Sequence, residues 1–327
     1  MSGLKETRNY LVLGGTGFVG SAVVAELQAR GHSVVVLPAP RLASSAATAR
    51  ELLDEALAAP ARASLAAALA NVDVVINAAG LALPGAAASP ALTGANALLP
   101  AVVASAARAA GTGRFIHLSS ASVQGQRSSI DESGERAPFS AYSRSKALGE
   151  EALELLAPAT ADHLSLVTVR ATSVQGADRA TTQSLVAIAR SPLASVASPG
   201  TAPTPVSSLA ALAWFVAEVA QHAGEVPAVV LQPWEGLDVR GVLVAAGGRR
   251  PLSLPRGLCR AALAAGFAVS SRLLGERLHG SLRRVELMWF GQDQEPGWAQ
   301  TVGLLPTPSA AQVLEQARRR AQGSLGA

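Results

Sequence analysis

Cysteine is nearly absent from this chain: Cys259 stands alone, which excludes an internal disulfide and a cysteine-based zinc site, and no metal is expected. Charged residues make up only 15% and aromatic ones 4%. Blocks of Lys and Arg interleaved with aromatics, the footprint of a nucleic-acid binder, do not occur. The net charge of +4 comes from scattered arginines, so no nucleic-acid partner is expected. A secretion signal is also missing, since Met1–Arg8 is polar and the first apolar segment is Tyr10–Leu13; with one cysteine, this predicts a reducing, cytoplasmic setting. The most apolar late stretch, Ala261–Ser271, is closed by Arg260 and Arg272. It falls short of the roughly 20 residues a membrane span needs, so it reads as a core or interfacial helix and no transmembrane segment is expected. What is abundant is apolar residues, 49% of 327, which feed a full core and argue against disorder.

The hydrophobic pattern alternates. Asn9–Leu13 reads as a buried strand, Gly17–Arg30 as a helix with Gly31 at its C-terminal cap, and Ser33–Leu37 as the next strand. A helix within Ser44–Ala59, a strand at Asp73–Asn77, a helix around Asn96–Ala110 and a strand at Arg114–Leu118 follow. Next come a helix over about Ala141–Leu156 and a strand at Leu164–Arg170. This order predicts a Rossmann-type α/β fold, a doubly wound parallel sheet. One unit is weak, because Ala56–Ala68 reads helical where a third strand needs β-branched residues, so that strand is short or missing. After Gly176 the pattern loosens into Ser191–Pro205, a loop or crossover. The last third is helical and Arg-bearing, and it closes with an amphipathic helix near Ser309–Arg320.

Directly after the first strand comes Gly14-Gly15-Thr16-Gly17-Phe18-Val19-Gly20. Glycines between a strand and a helix allow a tight turn, let backbone N–H groups approach a pyrophosphate, and offer it the positive end of the helix. The second strand ends in Pro38 rather than in a carboxylate that would bond an adenosine ribose, and Arg41 lies three residues on. These favour NADP, with NAD as the alternative; a solvated Arg41 is the plainer reading of that residue.

Tyrosine and lysine are both rare. Of two tyrosines and two lysines, one pair, Tyr142 and Lys146, stands four apart, and on a helix such residues share a face. A phenol is a sluggish acid or base at neutral pH, and a nearby ammonium lowers its pKa by favouring the phenolate. Ser119, Ser120 and Ser122 follow the Arg114–Leu118 strand, at the sheet edge where doubly wound folds bind ligands. Any of the three can bond a substrate oxygen as charge develops on it.

With Gly14, Gly17 and Gly20, the Asp73–Gly80 strand and turn, Asn96, Ser120, Tyr142-x-x-x-Lys146, Arg170 and the tail Leu304–Ser309, the chain resembles the extended short-chain dehydrogenase/reductase family, also called the NAD-dependent epimerase/dehydratase family. The resemblance implies that Tyr142 is the acid/base, that Lys146 tunes it and holds a ribose, and that Ser120 orients the substrate oxygen, with Asn96 as a further member of the site. It places Ala78, Ala79, Gly80, Asn96 and Leu118 beside the cofactor with the glycine loop. It also implies about seven strands, a cofactor domain over 1–176 and a smaller, mainly helical substrate lobe over 177–327, parts of which return to the sheet. The chain departs from the family at Gln124 and Gln175, where Tyr is usual, and at Ser173, where nucleotide-sugar enzymes carry Asn. Thr201 and Ser207 replace a common Arg and His. Ala121-Ser122 offers none of the acidic groups that a 4,6-dehydratase needs.

The expected activity is therefore interconversion of a ketone and a secondary alcohol on a small-molecule substrate. A nucleotide-sugar epimerase that retains NAD is the alternative, and a cofactor-binding regulatory protein without turnover is a third reading. Arg249, Arg250, Arg256, Arg260, Arg272, Arg277, Arg283 and Arg284 line helices that read as a lid, as the wall of a site for an acidic or sugar-derived substrate, or as a membrane-touching face. A homodimer is compatible with the sequence.

Overall fold

The computed structural model describes residues 8–82, 87–157, 163–273 and 278–323; Met1, Lys5 and Arg277 lie outside them. The chain forms two compact units. The first comprises Met1–Val123, Ala141–Ala171 and Ala213–Leu231, and the second Gln124–Ser140, Thr172–Leu212 and Gln232–Ala327.

The first unit is built on a parallel sheet of β1 (Asn9–Leu13), β2 (Ser33–Leu37), β3 (Val74–Asn77), β4 (Arg114–Ser120), β5 (Ser165–Ala171) and β6 (Val229–Leu231). Their order across the sheet is β6-β5-β4-β3-β1-β2. Helix α1 (Phe18–Ala29) joins the first two strands and ends where Gly31 takes φ +84°, a left-handed conformation that glycine enters without a Cβ penalty. Helix α2 (Ala49–Ala58) starts on a capping box of Thr48 and Glu51. A helix α3 (Ala61–Ala68) occupies the place of the missing third strand. The sheet thus has six strands rather than about seven, and it ends at β2, because an alanine-rich segment loses nothing by helix formation and gains little from a pleat.

The helix expected from Asn96 begins earlier. Ser89 caps α4 (Pro90–Thr93), a wide π-turn spans Gly94–Leu98, and α5 (Leu99–Ala109) continues. Asn96 thus sits inside that turn, a form that single-turn bulges take at functional sites. The run Pro90–Ala109 is long and apolar enough to cross a membrane, yet 78% of its apolar window is buried within the protein. It packs in the core formed by Leu11, Leu13, Leu52, Leu69, Val102 and Phe115. Helix α6 (Ala141–Leu156) covers the same face.

The second unit has its own core of Val186, Val206, Leu243, Leu314 and Ala317. The Ser191–Pro205 stretch is not all loop, since Ser195–Ala197 pairs in parallel with Leu252–Leu254. The segment read as a core or interfacial helix belongs to α7 (Arg256–Leu273), which buries only Cys259, Leu263 and Ser270. Leu258, Val269 and Leu273 are 58%, 51% and 76% exposed, so it is no core helix. Its neighbour α8 (His279–Phe290) buries no residue fully.

Candidate functional site

The glycine loop is shaped by its own backbone. Gly14 has φ +76°, and a Cβ there would lie 2.6 Å from the Ala79 nitrogen. A Cβ on Gly20 would collide with the Gly14 carbonyl. Gly17 differs: it has ordinary extended dihedrals, a Cβ there would meet only the Gly14 oxygen at 3.2 Å, and Thr16, Gly17 and Phe18 are exposed. Among the described residues no side chain caps the start of α1, and Thr16, Gly17 and Phe18 at this helix start are exposed, an arrangement that suits an anion.

Beyond β3, the Ala78 N–H donates to the Leu13 carbonyl and the Ala79 N–H to Asn77 Oδ1. Gly80 is confined between two predicted site residues, for a Cβ there would lie 2.8 Å from Asn96 Oδ1 and 3.3 Å from Lys146 Nζ. Asn96 is fully buried, accepts from the Leu81 N–H at 2.9 Å, and donates to the Leu81 carbonyl at 3.1 Å and to Ser145 Oγ at 3.0 Å. Ser145 in turn donates to the Tyr142 carbonyl. Asn96 is therefore a clamp that ties the turn after β3 to the first turn of α6. The close approach needs a small partner, and Gly149 supplies it: a Cβ there would lie 2.6 Å from the Asn96 carbonyl oxygen.

Tyr142 and Lys146 share one face of α6, Tyr142 half-buried and Lys146 buried. Lys146 Nζ donates to the Leu118 carbonyl at 2.8 Å. Burial pushes this ammonium down to about 8, and the negative charge of Glu150, one helical turn on, pulls the other way. Beside it, burial and the Lys146 charge hold the imidazole of His117 well below its ordinary range.

The three serines separate cleanly. Ser119 donates to Glu150 Oε1 at 2.6 Å, and the same carboxylate pairs with fully buried Arg170 at 2.7 Å. Ser120, the last residue of β4, shares a 2.9 Å hydroxyl contact with Ser122 and is partly open. Ser120 and Ser122 are both partly exposed, whereas Ser119 is buried. Ser119→Ala is expected to lower the free energy of unfolding by about 1.5–3 kcal/mol, the worth of a hydrogen bond to a charged group, while kcat stays unchanged. Urea denaturation alongside steady-state kinetics checks this, and normal stability with lost turnover would return Ser119 to the chemistry.

Arg41 is exposed and has no hydrogen-bond partner among the described residues, so nothing internal fixes it. In the second unit, Gln124 is buried and donates to Asp131 Oδ1 at 2.7 Å, Gln175 donates to Ser173, and Thr172 donates to Ser207. At Gln124, Ser173, Gln175 and Ser207 the side chains that depart from the family pattern spend their polar groups on the chain itself, whereas Thr201 is exposed. The roles of Glu150, Ser145 and Gly149 were missed in the sequence. Glu150 had a signal, since it lies four residues beyond Lys146 and shares its helix face.

Several solved structures share this fold. MoeE5, in complex with UDP-glucose and NAD, is 20% identical with a TM-score of 0.60, the match covering 96% of this chain and 99% of that one. UDP-glucuronic acid 4-epimerase from Bacillus cereus, in complex with NAD, is 18% identical with a TM-score of 0.59 over 97% and 99%. The human epimerase family protein SDR39U1, with NADPH, is 17% identical with a TM-score of 0.57 over 95% and 99%. No protein of curated function matches. The sequence pattern of the NAD dependent epimerase/dehydratase family matches residues 10–196, more than half of the chain and all of the glycine loop, Asn96, Ser120, Tyr142 and Lys146. The chain belongs to the NAD dependent epimerase/dehydratase family.

Proposed function

We propose that this protein interconverts a ketone and a secondary alcohol with a nicotinamide dinucleotide, NADP being preferred, and that Tyr142 is the acid/base. The observation that carries this is the buried Lys146 ammonium, anchored on the Leu118 carbonyl at 2.8 Å and presented on the same helix face as Tyr142. Desolvating a lysine is costly, and strongly shifted groups cluster at functional sites. Family membership and the cofactors held by the similar structures support it.

The residues fit such a cofactor. The cradle is the turn of Gly14, Gly15, Thr16 and Gly17 with the N-terminal residues Phe18, Val19 and Gly20 of α1, where an open glycine admits a pyrophosphate. Ala78, Ala79 and Gly80 form the adjoining turn, and Leu118, Asn96 and Lys146 close its far side. When bound, the dinucleotide supplies or accepts a hydride. Tyr142 gives a proton to the substrate oxygen in the reducing direction and takes it back in the oxidising one. Lys146 favours the phenolate that this leaves, and Ser120 donates a hydrogen bond to the same oxygen. Asn96 acts at one remove, holding Leu81 and, through Ser145, the first turn of α6.

NADPH is expected to bind about tenfold to a hundredfold more tightly than NADH, and Arg41→Ala to erase most of that difference, since a charge-assisted bond to the 2′-phosphate is worth about 1.5–3 kcal/mol. Titration calorimetry with both cofactors decides it, and a native preference for NADH would sink the assignment. An epimerase that retains NAD is the second reading, favoured by the UDP-sugars in MoeE5. Against it stand Gln124, Gln175 and Ser207, whose polar groups are engaged internally. Mass spectrometry of the cofactor that co-purifies, followed by a panel of ketones and nucleotide sugars, separates the two. Turnover of a ketone that requires added NADPH supports the first, and stoichiometric retained NAD with sugar epimerisation replaces it.

A further inference from the structure

The second unit holds a cavity of ≈ 610 Å³, within the size range of small-molecule sites. Two of its walls are helix faces, Arg256, Arg260, Leu263 and Phe267 from α7 and Arg283 and Phe290 from α8, and the segments around Arg127 and Asp293 complete it. Two of its arginines are neutralised, because Arg283 pairs with Glu286 at 2.8 Å and Arg127 with Asp131 and Glu135. The remaining lining carboxylate, Asp293, accepts from the Gln294 N–H. Arg256 and Arg260 have no acidic partner among the described residues, and both converge on one ring, 5.2 and 5.9 Å from the centroid of Phe290. Like charges four apart on a helix repel, and the aromatic face offsets that only in part. An anion between the two guanidiniums would relieve it.

We propose that this cavity binds an organic phosphate monoester, its phosphate held between Arg256 and Arg260 and its apolar or planar body against Leu263, Phe267 and Phe290. Two convergent guanidiniums match the nearly doubly charged phosphate better than a carboxylate. The apolar side chains Leu263, Phe267 and Phe290 give the rest of the molecule a place that free phosphate would leave unfilled. This inference stands apart from the reading of the glycine loop, because no residue of that loop lines the cavity.

The test is titration calorimetry of the full chain with phenyl phosphate and with inorganic phosphate. Phenyl phosphate is expected to bind in roughly the 0.1–1 mM range, and the ester-free ion at least about tenfold more weakly, having no apolar body to bury. The Arg256→Gln/Arg260→Gln double variant changes two exposed side chains and is expected to weaken phenyl phosphate at least about tenfold. Arg319→Gln, an exposed arginine on the C-terminal helix, is expected to change nothing. Absence of phenyl phosphate binding, equal affinity in the double variant, equal weakening by the Arg319 control, or inorganic phosphate binding as tightly would each overturn the proposal.

Discussion

Tyr142→Phe is expected to lower kcat by about 10²–10⁴-fold, the range that a positioned proton donor contributes, while thermal stability and cofactor affinity stay near those of the parent. The phenol hydroxyl is the only group removed, and α6 is held by groups that this change leaves alone: Ser145 bonds the Tyr142 backbone carbonyl, and Asn96 bonds Ser145. The assay is consumption of NADPH with the best ketone of the panel. A pH profile sharpens it. Because the Lys146 ammonium in the folded protein discharges at about 8, kcat/KM for reduction is expected to be level below that pH and to fall above it. Lys146→Met is expected to remove this alkaline limb and to weaken both turnover and cofactor binding. Near-normal turnover in Tyr142→Phe would end the acid/base assignment.

Gly17→Val is expected to leave no measurable binding of NADPH or NADH, a loss of at least about 100-fold, since a β-branched side chain bars the backbone from the pyrophosphate. Gly17 is the best glycine of the loop for this experiment because its dihedrals suit any residue and a Cβ there meets one atom, the Gly14 oxygen at 3.2 Å, which must give by a few tenths of an ångström. The same change at Gly20 would drive a side chain into the Gly14 carbonyl and damage the turn itself, so lost binding there would say nothing about a ligand. A Gly17→Val protein that melts like the parent and still binds the dinucleotide would reduce the loop to a simple turn.

Much of the first unit was legible in the sequence because its signals are local. Strand β1, the glycines after it and Gly31 at the end of α1 each follow from a few neighbouring residues, and α6 runs over Ala141–Leu156 as its apolar spacing predicts. The weak third strand was legible as a weakness, and an alanine-rich helix fills its place. What escaped depends on contacts distant in sequence. At the π-turn over Gly94–Leu98, Gly94 and Gly149 let other backbone approach closely, and nothing near Asn96 announces that. Ser119 and Ser120 look alike in sequence. They are told apart only by Glu150 and Arg170, 31 and 51 residues away from Ser119. The exposure of α7 was hidden for a related reason, since alanine-rich helices suit core and surface alike.

The buried lysine links folding to proton release. Lys146 in the folded chain gives up its proton at about 8, against an ordinary value of 10.5, so holding it charged at neutral pH costs a few kcal/mol at about 1.4 kcal/mol per tenfold change in proton affinity. Below about 8 both folded and unfolded chains carry the charge, and the cost is present in full. Between about 8 and 10.5 the unfolded chain still binds a proton that the folded one has released, so this residue makes the protein more stable as pH rises. The same rise discharges the ammonium on which the proposed chemistry depends. In the proposed reading, the stability this residue contributes and the chemistry it supports therefore move in opposite directions as pH rises through this window.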